Sequence, residues 1–299
     1  MRTVLVTGAT GAVGPAVVRA LQNAGWNVRV LLRGTSDVSG AEVCRGDLRD
    51  RESLERAGEG VDAVVHMAGL LHLFHAGPER DADFESLNVD ATRHLLNATP
   101  GARWIFFSSI SVYGSGGPFT EDSPVNPPNA YARTKLAAER LVLAAGGTVF
   151  RLAAVYGARM KGNYASLVRT MARRRFVAVG EGDNHRTLVR DLDVGDAVVL
   201  ALESDAAPGK IYNVTDGSTH TVKEIIVATA EALGRRPPLL SVPVGVVRMA
   251  GRLVPRVRRL LDKYLEDVRV DGTKLQRELN FRPQAEFRTG WIDSVRSFR

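Results

Sequence analysis

Short apolar runs alternate with longer amphipathic segments over the first half of the chain. The apolar runs predict strands at Thr3–Val6, Val28–Leu32, Ala41–Arg45, Val61–His66, Trp104–Ser108 and Thr148–Leu152. Apolar residues at helical spacing predict helices over Ala12–Ala24, Phe84–Ala98 and Tyr131–Ala145. Fully apolar strands separated by helices are typical of a parallel sheet covered on both faces. The pattern therefore predicts an α/β fold with a doubly wound parallel sheet.

The alternation becomes less regular after about Tyr156. Further strands are predicted at Phe176–Val179, Leu188–Arg190 and Ile211–Val214, and further helices at Asp193–Leu202 and Val222–Leu233. Two prolines, Pro237 and Pro238, then interrupt the pattern before a basic and mostly helical final section.

A glycine-rich turn follows the first predicted strand and opens the first predicted helix. It reads Thr7-Gly8-Ala9-Thr10-Gly11-Ala12-Val13-Gly14. Glycine lets the backbone turn sharply and approach a pyrophosphate, and the helix N-terminus offers free N–H groups to the phosphates. We therefore predict a dinucleotide-binding Rossmann domain over residues 1–155, to which 188–215 return. Residues 156–187 and 216–299 are expected to form a smaller C-terminal substrate-binding lobe.

The residue after the second strand of such a domain faces the adenosine ribose. An acidic residue there favours NAD, whereas an arginine favours the 2′-phosphate of NADP. This chain has Arg33 there and no acid before Asp37, so we expect NADP(H), with NAD as the alternative. Asp47 and Leu48 follow the third strand and are expected near the adenine. Alternatively, Asp47 only caps the helix that begins near Asp50.

Tyr131 and Lys135 lie four residues apart and therefore on one face of a predicted helix. A tyrosine phenol has a pKa of about 10, and a nearby ammonium lowers that pKa, so the phenol can exchange a proton with a substrate hydroxyl. Ser108 and Ser109 end the fifth predicted strand, where open α/β sheets bind their ligands. We therefore predict that Ser109, Tyr131 and Lys135 are catalytic.

Several further motifs occur in an order that one enzyme family shares. They are Thr7–Gly14, Asp47-Leu48, His66-Met67-Ala68-Gly69, Asn88-Val89, Ser108–Gly114, Tyr131 with Lys135, and Arg151–Gly157. With these motifs the chain resembles, over nearly its whole length, the extended short-chain dehydrogenase/reductase family. Within that family it is similar to nucleotide-sugar epimerases, dehydratases and reductases.

The resemblance implies a role for each matching residue. Tyr131 is the expected acid/base, Lys135 binds the nicotinamide ribose, and Ser109 bonds the reacting oxygen, with Ser111 as the alternate hydroxyl. The expected cofactor-binding residues are Gly8, Gly11, Ala12, Val13, Gly14, Arg33, Asp47, Leu48, Met67, Ala68, Gly69, Asn88, Ser108, Tyr131, Lys135, Leu152 and Val155.

The same resemblance extends to the substrate side. Asn163 matches an asparagine that meets the nucleotide diphosphate in sugar epimerases, and Arg186 matches a phosphate-binding arginine. The segments 268–271 and 279–283 resemble the C-terminal signature of nucleotide-sugar 4-epimerases and 4-ketosugar reductases. The resemblance thus implies hydride transfer at a sugar carbon, C4, of a nucleotide-sugar. Ser109, Ser111, Asn163 and Arg186 are the expected substrate contacts.

Two features depart from typical 4-epimerases. Many of these have a lysine where this chain has Leu70-Leu71, and those that hold NAD tightly have an acid where this chain has Arg33. Both departures favour a reductase with an exchangeable cofactor. Two alternatives stay open: an oxidoreductase of a hydrophobic alcohol or ketone, and a non-catalytic, cofactor-sensing protein on the same fold.

Composition and charge reduce the number of binding partners and site types to expect for this 299-residue chain. The single cysteine, Cys44, excludes an intramolecular disulfide, and His72 and His75 lack acidic or cysteine partners at ligand spacing, so no metal site is predicted. The apolar runs fall short of the ~20 residues that span a membrane, and no membrane partner is expected. The net charge of +7 comes from short arginine clusters without interleaved aromatics, which disfavours nucleic acid. The cytoplasm is the expected location. The family resemblance implies a homodimer, for which the helices at 84–98 and 131–145 are the candidate interface; alternatively, their apolar faces pack on the sheet.

Overall fold

The computed structural model describes residues 2–70, 78–238, 241–253, 261 and 264–298. Its strands are β1 (Thr3–Thr7), β2 (Asn27–Leu32), β3 (Glu42–Arg45), β4 (Ala63–His66), β5 (Arg103–Ser109), β6 (Gly116–Phe119), β7 (Thr148–Leu152), β8 (Ala154–Tyr156), β9 (Ala178–Val179), β10 (His185–Arg190), β11 (Ile211–Val214), β12 (Thr219–Thr221), β13 (Ser241–Val242) and β14 (Val268–Val270). Its helices are α1 (Gly14–Asn23), α2 (Arg51–Gly58), α3 (Pro78–Glu85), α4 (Ala91–Ala98), α5 (Ala130–Ala144), α6 (Gly162–Ala172), α7 (Asp191–Glu203), α8 (Val222–Ala232), α9 (Val244–Leu253), α10 (Thr273–Leu279) and α11 (Phe287–Ser297).

A seven-stranded sheet carries the fold, with the strand order β11-β7-β5-β4-β1-β2-β3. Every neighbouring pair in it is parallel. Its central strands are apolar because helices cover both faces. The predicted doubly wound parallel sheet is confirmed, and the carboxyl ends of all seven strands meet at one edge.

Two hydrophobic clusters hold the helices on the sheet. On one face, α1 and α7 contribute Val17, Leu21, Val194 and Val198 to the largest cluster. On the other face, α2, α4 and α5 contribute Leu54, Leu95, Ala138 and Val142. Within α1, α5 and α7 these buried residues lie four positions apart, which is one helical turn. The helical spacing of apolar residues in the sequence therefore reflects burial against the sheet.

A second sheet has the strand order β12-β10-β14-β6, with β8 also paired to β10. Here β10 and β12 are antiparallel, whereas β10, β14, β8 and β6 pair in parallel. A two-stranded parallel sheet joins β9 and β13. Of the segment 188–215, α7 packs on α1 and β11 extends the main sheet, but the β10 residues 188–190 lie in the second sheet.

The helix predicted over Phe84–Ala98 is confirmed, but it is not α-helical throughout. A π-helical segment, Ser86–Asp90, separates α3 from α4. Asn88 lies in this segment, and its side chain is buried. It forms hydrogen bonds with the backbone of Leu70 and with the hydroxyl of Thr134, both outside the helix. Such bulges widen a helix locally and often lie at functional sites.

Two strand predictions also change in length. The strand predicted at Phe176–Val179 shortens to Ala178–Val179, because the backbone of Arg175 bonds back to Thr170 and Arg174 takes a left-handed conformation with φ of 57°. The strand predicted from Leu188 begins earlier, at His185, where pairing with β12 starts.

A buried ion pair joins α5 to β7. Arg151 Nη2 donates to Glu139 Oε2 at 2.7 Å, and both side chains are almost fully buried. Ser108 donates its hydroxyl to the same carboxylate, and Arg151 Nη1 donates to the Tyr113 hydroxyl at 2.9 Å. Tyr113 in turn donates to Asn213 on β11 at 2.8 Å, so one polar network links α5, β5, β7 and β11.

We predict that Arg151→Met lowers the free energy of unfolding by about 3–5 kcal/mol, because it leaves the buried Glu139 carboxylate unpaired. Urea denaturation measures this change. The matched control is Arg51→Met, which removes an exposed pair with Glu55 and should cost less than about 1 kcal/mol. Equal losses in the two variants would contradict the assignment.

Candidate active site

Helix α5 begins where Asn129 caps it. The Asn129 side chain accepts a hydrogen bond from the Ala132 N–H at 3.0 Å. One helical turn separates Tyr131 from Lys135, as the sequence spacing predicts. The helix packs on β5, so both side chains meet the carboxyl end of that strand.

The ammonium of Lys135 is buried against β5. Its Nζ donates to the Phe107 carbonyl oxygen at 2.7 Å and lies 4.6 Å from the centroid of the Phe106 ring. Burial lowers the pKa of Lys135 to about 8, and the negative charge of Glu139 acts in the opposite direction. Glu139 therefore helps to keep Lys135 charged near neutral pH.

The phenol of Tyr131 lies near the Ser109 side chain. Burial raises the pKa of Tyr131 to about 12, and the nearby Ser109 hydroxyl opposes that rise. The ring of Phe84 meets the tyrosine edge-on, with the centroids 6.4 Å apart. In this environment the phenol holds its proton at neutral pH and is a proton donor.

Two serines line the same turn. Ser109 Oγ accepts from the Ser111 N–H at 3.2 Å, which starts a short 3-10 turn over Ile110–Val112. The buried Ser111 hydroxyl has no hydrogen-bond partner within the described residues. A buried polar group without a partner costs free energy, so Ser111 is suited to a ligand oxygen.

The glycine turn packs directly on the loop after β4. Gly8 has φ of 80°, and a Cβ there would lie 2.8 Å from the Ala68 nitrogen. A Cβ on Gly14 would overlap the Ala9 carbonyl. The α1 N-terminus has no side-chain cap and no acid in its first turn. Its N–H groups and positive dipole end therefore suit an anion such as a pyrophosphate.

A buried histidine connects this turn to the helix behind it. His66 Nδ1 lies 2.6 Å from Thr7 Oγ1, and His66 Nε2 lies 3.1 Å from Thr92 Oγ1. Thr92 donates to the Asn88 carbonyl at 2.8 Å, and Thr7 accepts from the Ala68 N–H at 3.2 Å. These directions assign the proton of a neutral imidazole to Nε2. Burial, helped by the charge of Lys135, lowers the pKa of His66 to about 3.

Gly69 packs closely against Asn88 and Lys135 and has no room for a side chain. A Cβ on Gly69 would lie 2.8 Å from Asn88 Oδ1 and 3.3 Å from Lys135 Nζ. Asn88 itself accepts from the Leu70 N–H at 2.7 Å and donates to Thr134 at 3.1 Å, so its side chain holds the loop. The close packing at Gly69 brings the loop after β4 against Lys135, and the uncapped α1 N-terminus suits the pyrophosphate of a dinucleotide.

Arg33 and Asp47 face each other after β2 and β3. The Arg33 side chain is 74% exposed, and its Nη1 lies 3.7 Å from Asp47 Oδ2. The alternative role of Asp47 as a helix cap is wrong, because Asp50 caps α2 by accepting from the Glu52 N–H at 3.1 Å. An exposed guanidinium at the end of β2 is available to a phosphate.

The other predicted cofactor residues divide into two groups. Met67 and Leu48 follow β4 and β3, and Leu152 ends β7, so these three lie at the shared carboxyl edge. Val155 lies on β8, which pairs with the second sheet. The Ser108 hydroxyl is committed to Glu139, which leaves only its backbone for a cofactor.

The predicted substrate residues lie on the second sheet and on α6. Arg186 is on β10, where its guanidinium donates to the carbonyls of His185 at 2.9 Å and Tyr264 at 3.1 Å. Its charge opposes the rise that burial causes in the pKa of Tyr164. Asn163, the residue before Tyr164, is exposed in the first turn of α6. Arg186 thus lies close to the start of α6.

Two residues of the site carried no predicted role. Glu139 follows Lys135 by four residues, and this spacing was the available signal for it. His66 belonged to a recognised motif, but its contacts with Thr7 and Thr92 depend on three separate elements.

Within the described ranges, no group of three or more His, Cys, Asp or Glu could hold a metal ion, and His72 and His75 lie outside those ranges. In the same ranges, no helix has the length and apolar character needed to cross a membrane.

The model of the NAD-dependent epimerase/dehydratase family matches residues 4–215. The chain belongs to this family. The match confirms the resemblance to the extended short-chain dehydrogenase/reductases and covers the glycine turn, Ser109, Tyr131 and Lys135. This epimerase/dehydratase family member is therefore an NAD(P)-dependent enzyme of the short-chain dehydrogenase/reductase type.

Two solved structures and one relative match almost the whole chain. Thermus thermophilus UDP-glucose 4-epimerase in complex with NAD is 28% identical, with a TM-score of 0.81 and 99% of both chains covered. MoeE5 in complex with UDP-glucuronic acid and NAD is 28% identical, with a TM-score of 0.80 over 99% of this chain and 98% of that one. Sterol demethylase protein B of Methylococcus capsulatus is 31% identical over 99% of this chain and 98% of its own.

We predict that lowering the pH destabilises the folded protein, partly because of His66. Its folded pKa of about 3 lies below the ordinary 6.5, so below pH 6.5 the unfolded chain takes up a proton that the folded chain refuses. The free energy of unfolding should therefore fall between pH 6.5 and 3, by up to about 1.4 kcal/mol per pH unit. Urea denaturation across this range measures the slope. His66→Gln should flatten it and His94→Gln should not; equal slopes in both variants would refute the assignment.

Proposed function

We propose that the protein transfers hydride at C4 of a nucleotide-linked sugar, as a 4-epimerase or a 4-ketosugar reductase. The observation that carries the proposal is that the Ser109 and Tyr131 side chains lie together, near the buried Lys135 ammonium and the loop at Gly69. All of these groups lie at the carboxyl edge of the sheet, next to a glycine turn suited to a pyrophosphate.

Each side chain has one task in this proposal. Tyr131 gives a proton to a substrate ketone oxygen or takes one from a hydroxyl, and Ser109 hydrogen-bonds the same oxygen. Lys135 contacts the cofactor ribose and favours the phenolate by its charge. A nicotinamide bound beside Gly69 supplies or accepts the hydride.

With a pKa of about 12 the Tyr131 phenol carries the proton that a ketone oxygen needs as it becomes a hydroxyl. Oxidation requires a lower pKa, which the charge of Lys135 and the positive ring of an oxidised nicotinamide would promote. Tyr131 can therefore serve either direction, and the reductase is preferred to the epimerase because of Arg33 and the leucine at position 70.

The proposed substrate contacts suit a nucleotide diphosphate. Arg186 offers a planar guanidinium beside the start of α6, where Asn163 is exposed. Guanidinium groups bind phosphates in bidentate geometry. The buried Ser111 hydroxyl would bond a sugar oxygen. The MoeE5 complex with UDP-glucuronic acid supports this class of substrate.

A second candidate is a hydrophobic ketone or alcohol. It is favoured by the 31% identity to sterol demethylase protein B over nearly both chains. Inhibition by UDP or dTDP that Arg186→Met abolishes would support the nucleotide-sugar. Turnover of sterol ketones without such inhibition would support the second candidate.

We further propose that the cofactor is NADP(H), bound by Arg33, and that the protein dimerises through α4 and α5. The exposed Arg33 guanidinium supports the first point. The dimer rests on the resemblance, and light scattering would measure the assembly. A cytoplasmic location is proposed from the apolar pattern of the sequence alone.

Tyr131→Phe should abolish turnover and leave cofactor binding intact. The loss should be about 100- to 10,000-fold in kcat, because proton transfer is removed and the ring is kept. Turnover is followed by NADPH absorbance with UDP- and dTDP-linked hexoses and their 4-keto derivatives. Tyr212→Phe, whose hydroxyl bonds Glu278 at 2.9 Å, is the matched control and should keep its activity. Undiminished turnover in Tyr131→Phe would remove the proposed acid/base, and a protein that binds cofactor but turns over no substrate would be the non-catalytic sensor.

Arg33→Asp should reverse the cofactor preference. We expect the ratio of kcat/KM for NADPH to that for NADH to fall about 10- to 150-fold, because a charge-assisted bond to the 2′-phosphate is replaced by repulsion. Arg51→Asp makes the same charge change on α2 and should leave the ratio unchanged. A wild-type protein that prefers NADH would overturn the role given to Arg33.

A further inference from the structure

Exposed apolar side chains are concentrated near the β9–β13 sheet. Of the four large apolar residues exposed in the described chain, Val177, Val246 and Met249 belong to this region, with exposures of 60%, 54% and 64%. Val177 immediately precedes β9. Strand β13 pairs with β9, and α9 begins two residues after β13. We call these three residues the apolar patch.

Helix α9 is apolar on two sides. Val244 and Val247 are half-buried, and Val244 packs against Gly180, where an added Cβ would lie 2.9 Å from it. Val246 and Met249, also three residues apart, are exposed. The inner pair attaches the helix to the protein, and the outer pair forms an apolar face that no described residue covers.

Exposed arginines lie on the segment before β9 and on α9 itself. Arg173, Arg174 and Arg175 follow α6 and are exposed, as is Arg248 on α9. Arg235 donates to the Met171 carbonyl in the last turn of α6, which brings the segment around it next to the first three. Among the described residues, Arg173, Arg174, Arg175 and Arg248 form no ion pair. No acidic side chain of the described residues therefore pairs with these four guanidinium groups.

The excess charge of the whole chain comes from this part of the sequence. Residues 235–261 contain seven arginines and neither aspartate nor glutamate. The chain has 40 Lys and Arg against 33 Asp and Glu, so the remainder contains 33 of each. A neutral protein thus carries one strongly basic segment, and that segment includes the exposed apolar helix.

We propose that the apolar patch and its arginines dock the protein on an anionic phospholipid surface. Val177, Val246 and Met249 enter the boundary between headgroups and acyl chains, and the arginines meet the lipid phosphates. This departs from the expectation of no membrane partner, which rested on the lack of a spanning run; surface docking needs none. The docking goes beyond the proposed function and does not depend on it.

The chemistry of the surface favours lipid over other anionic partners. Nucleic acid would use the arginines, but it has no counterpart for exposed valine and methionine, and the patch has no aromatic ring for stacking. A second copy of the chain would bring two arginine clusters together across a symmetric interface, and this repulsion disfavours self-association. Of these three partners, a bilayer is the one that offers both phosphate charge and apolar depth.

Vesicle co-sedimentation of the full-length protein tests the proposal. We expect binding to phosphatidylcholine vesicles that contain phosphatidylglycerol, no binding to pure phosphatidylcholine, and weaker binding as salt is raised. Val246→Ser with Met249→Gln should weaken binding at least about tenfold. Arg173→Gln with Arg248→Gln should weaken it about fivefold per arginine. The matched controls are Val227→Ser, an exposed valine on α8, and Arg51→Gln, and both should bind as the wild type does.

Three outcomes would overturn the proposal. The first is failure of the wild-type protein to bind anionic vesicles. The second is binding to RNA, measured by fluorescence anisotropy, that displaces vesicles and is unaffected by Val246→Ser with Met249→Gln. The third is conversion of an oligomer to a monomer by that double variant, which would identify the patch as a self-interface. Thermal unfolding and cofactor binding should be unchanged in all variants, so a failed docking test leaves the proposed function intact.

Discussion

A buried ammonium such as that of Lys135 needs compensating polar contacts. These contacts come from β5 and from α5 itself, and they extend to β7. The Phe107 carbonyl accepts its hydrogen bond, and the Phe106 ring lies under the charge. Glu139 supplies a negative charge one turn along the helix. Because Glu139 is itself buried, it needs Arg151 from β7, and Arg151 needs the Tyr113 hydroxyl. The buried charge of Lys135 is thus connected, through a series of polar partners, to Asn213 on the edge strand β11.

The parallel sheet explains why these groups meet the glycine turn. Every strand ends at the same edge, so the turn after β1, the loop after β4 and the serines after β5 are neighbours. His66 joins the first two through Thr7, and Asn88 joins the second to α5 through Thr134. Gly69 packs tightly between Asn88 and Lys135, where a side chain would not fit. A rigid polar framework therefore surrounds the space in which a nicotinamide would lie, while the proposed substrate groups Asn163 and Arg186 lie on other elements.

The main sheet and the glycine turn could be predicted because local pattern decides them. A buried strand shows as a run of a few apolar residues, and the glycine turn shows as three glycines within Gly8–Gly14. The π-helical segment was missed because Asn88 bonds Leu70 and Thr134, which are 18 and 46 residues away. Likewise, the pairing of Glu139 with Arg151 and the place of β10 in a second sheet depend on tertiary contacts. The roles of Tyr131, Lys135, Arg33 and Arg186 stay predictions, since geometry places these residues without showing a ligand on them.

The most direct test of the central claim is a crystal structure of the protein grown with NADPH. We predict the pyrophosphate at the α1 N-terminus and the nicotinamide ribose beside Gly69, hydrogen-bonded to Lys135 and Tyr131. We also predict the 2′-phosphate at Arg33. A nicotinamide bound away from Lys135, or a glycine turn that binds no dinucleotide at saturating NADPH or NAD, would contradict the account.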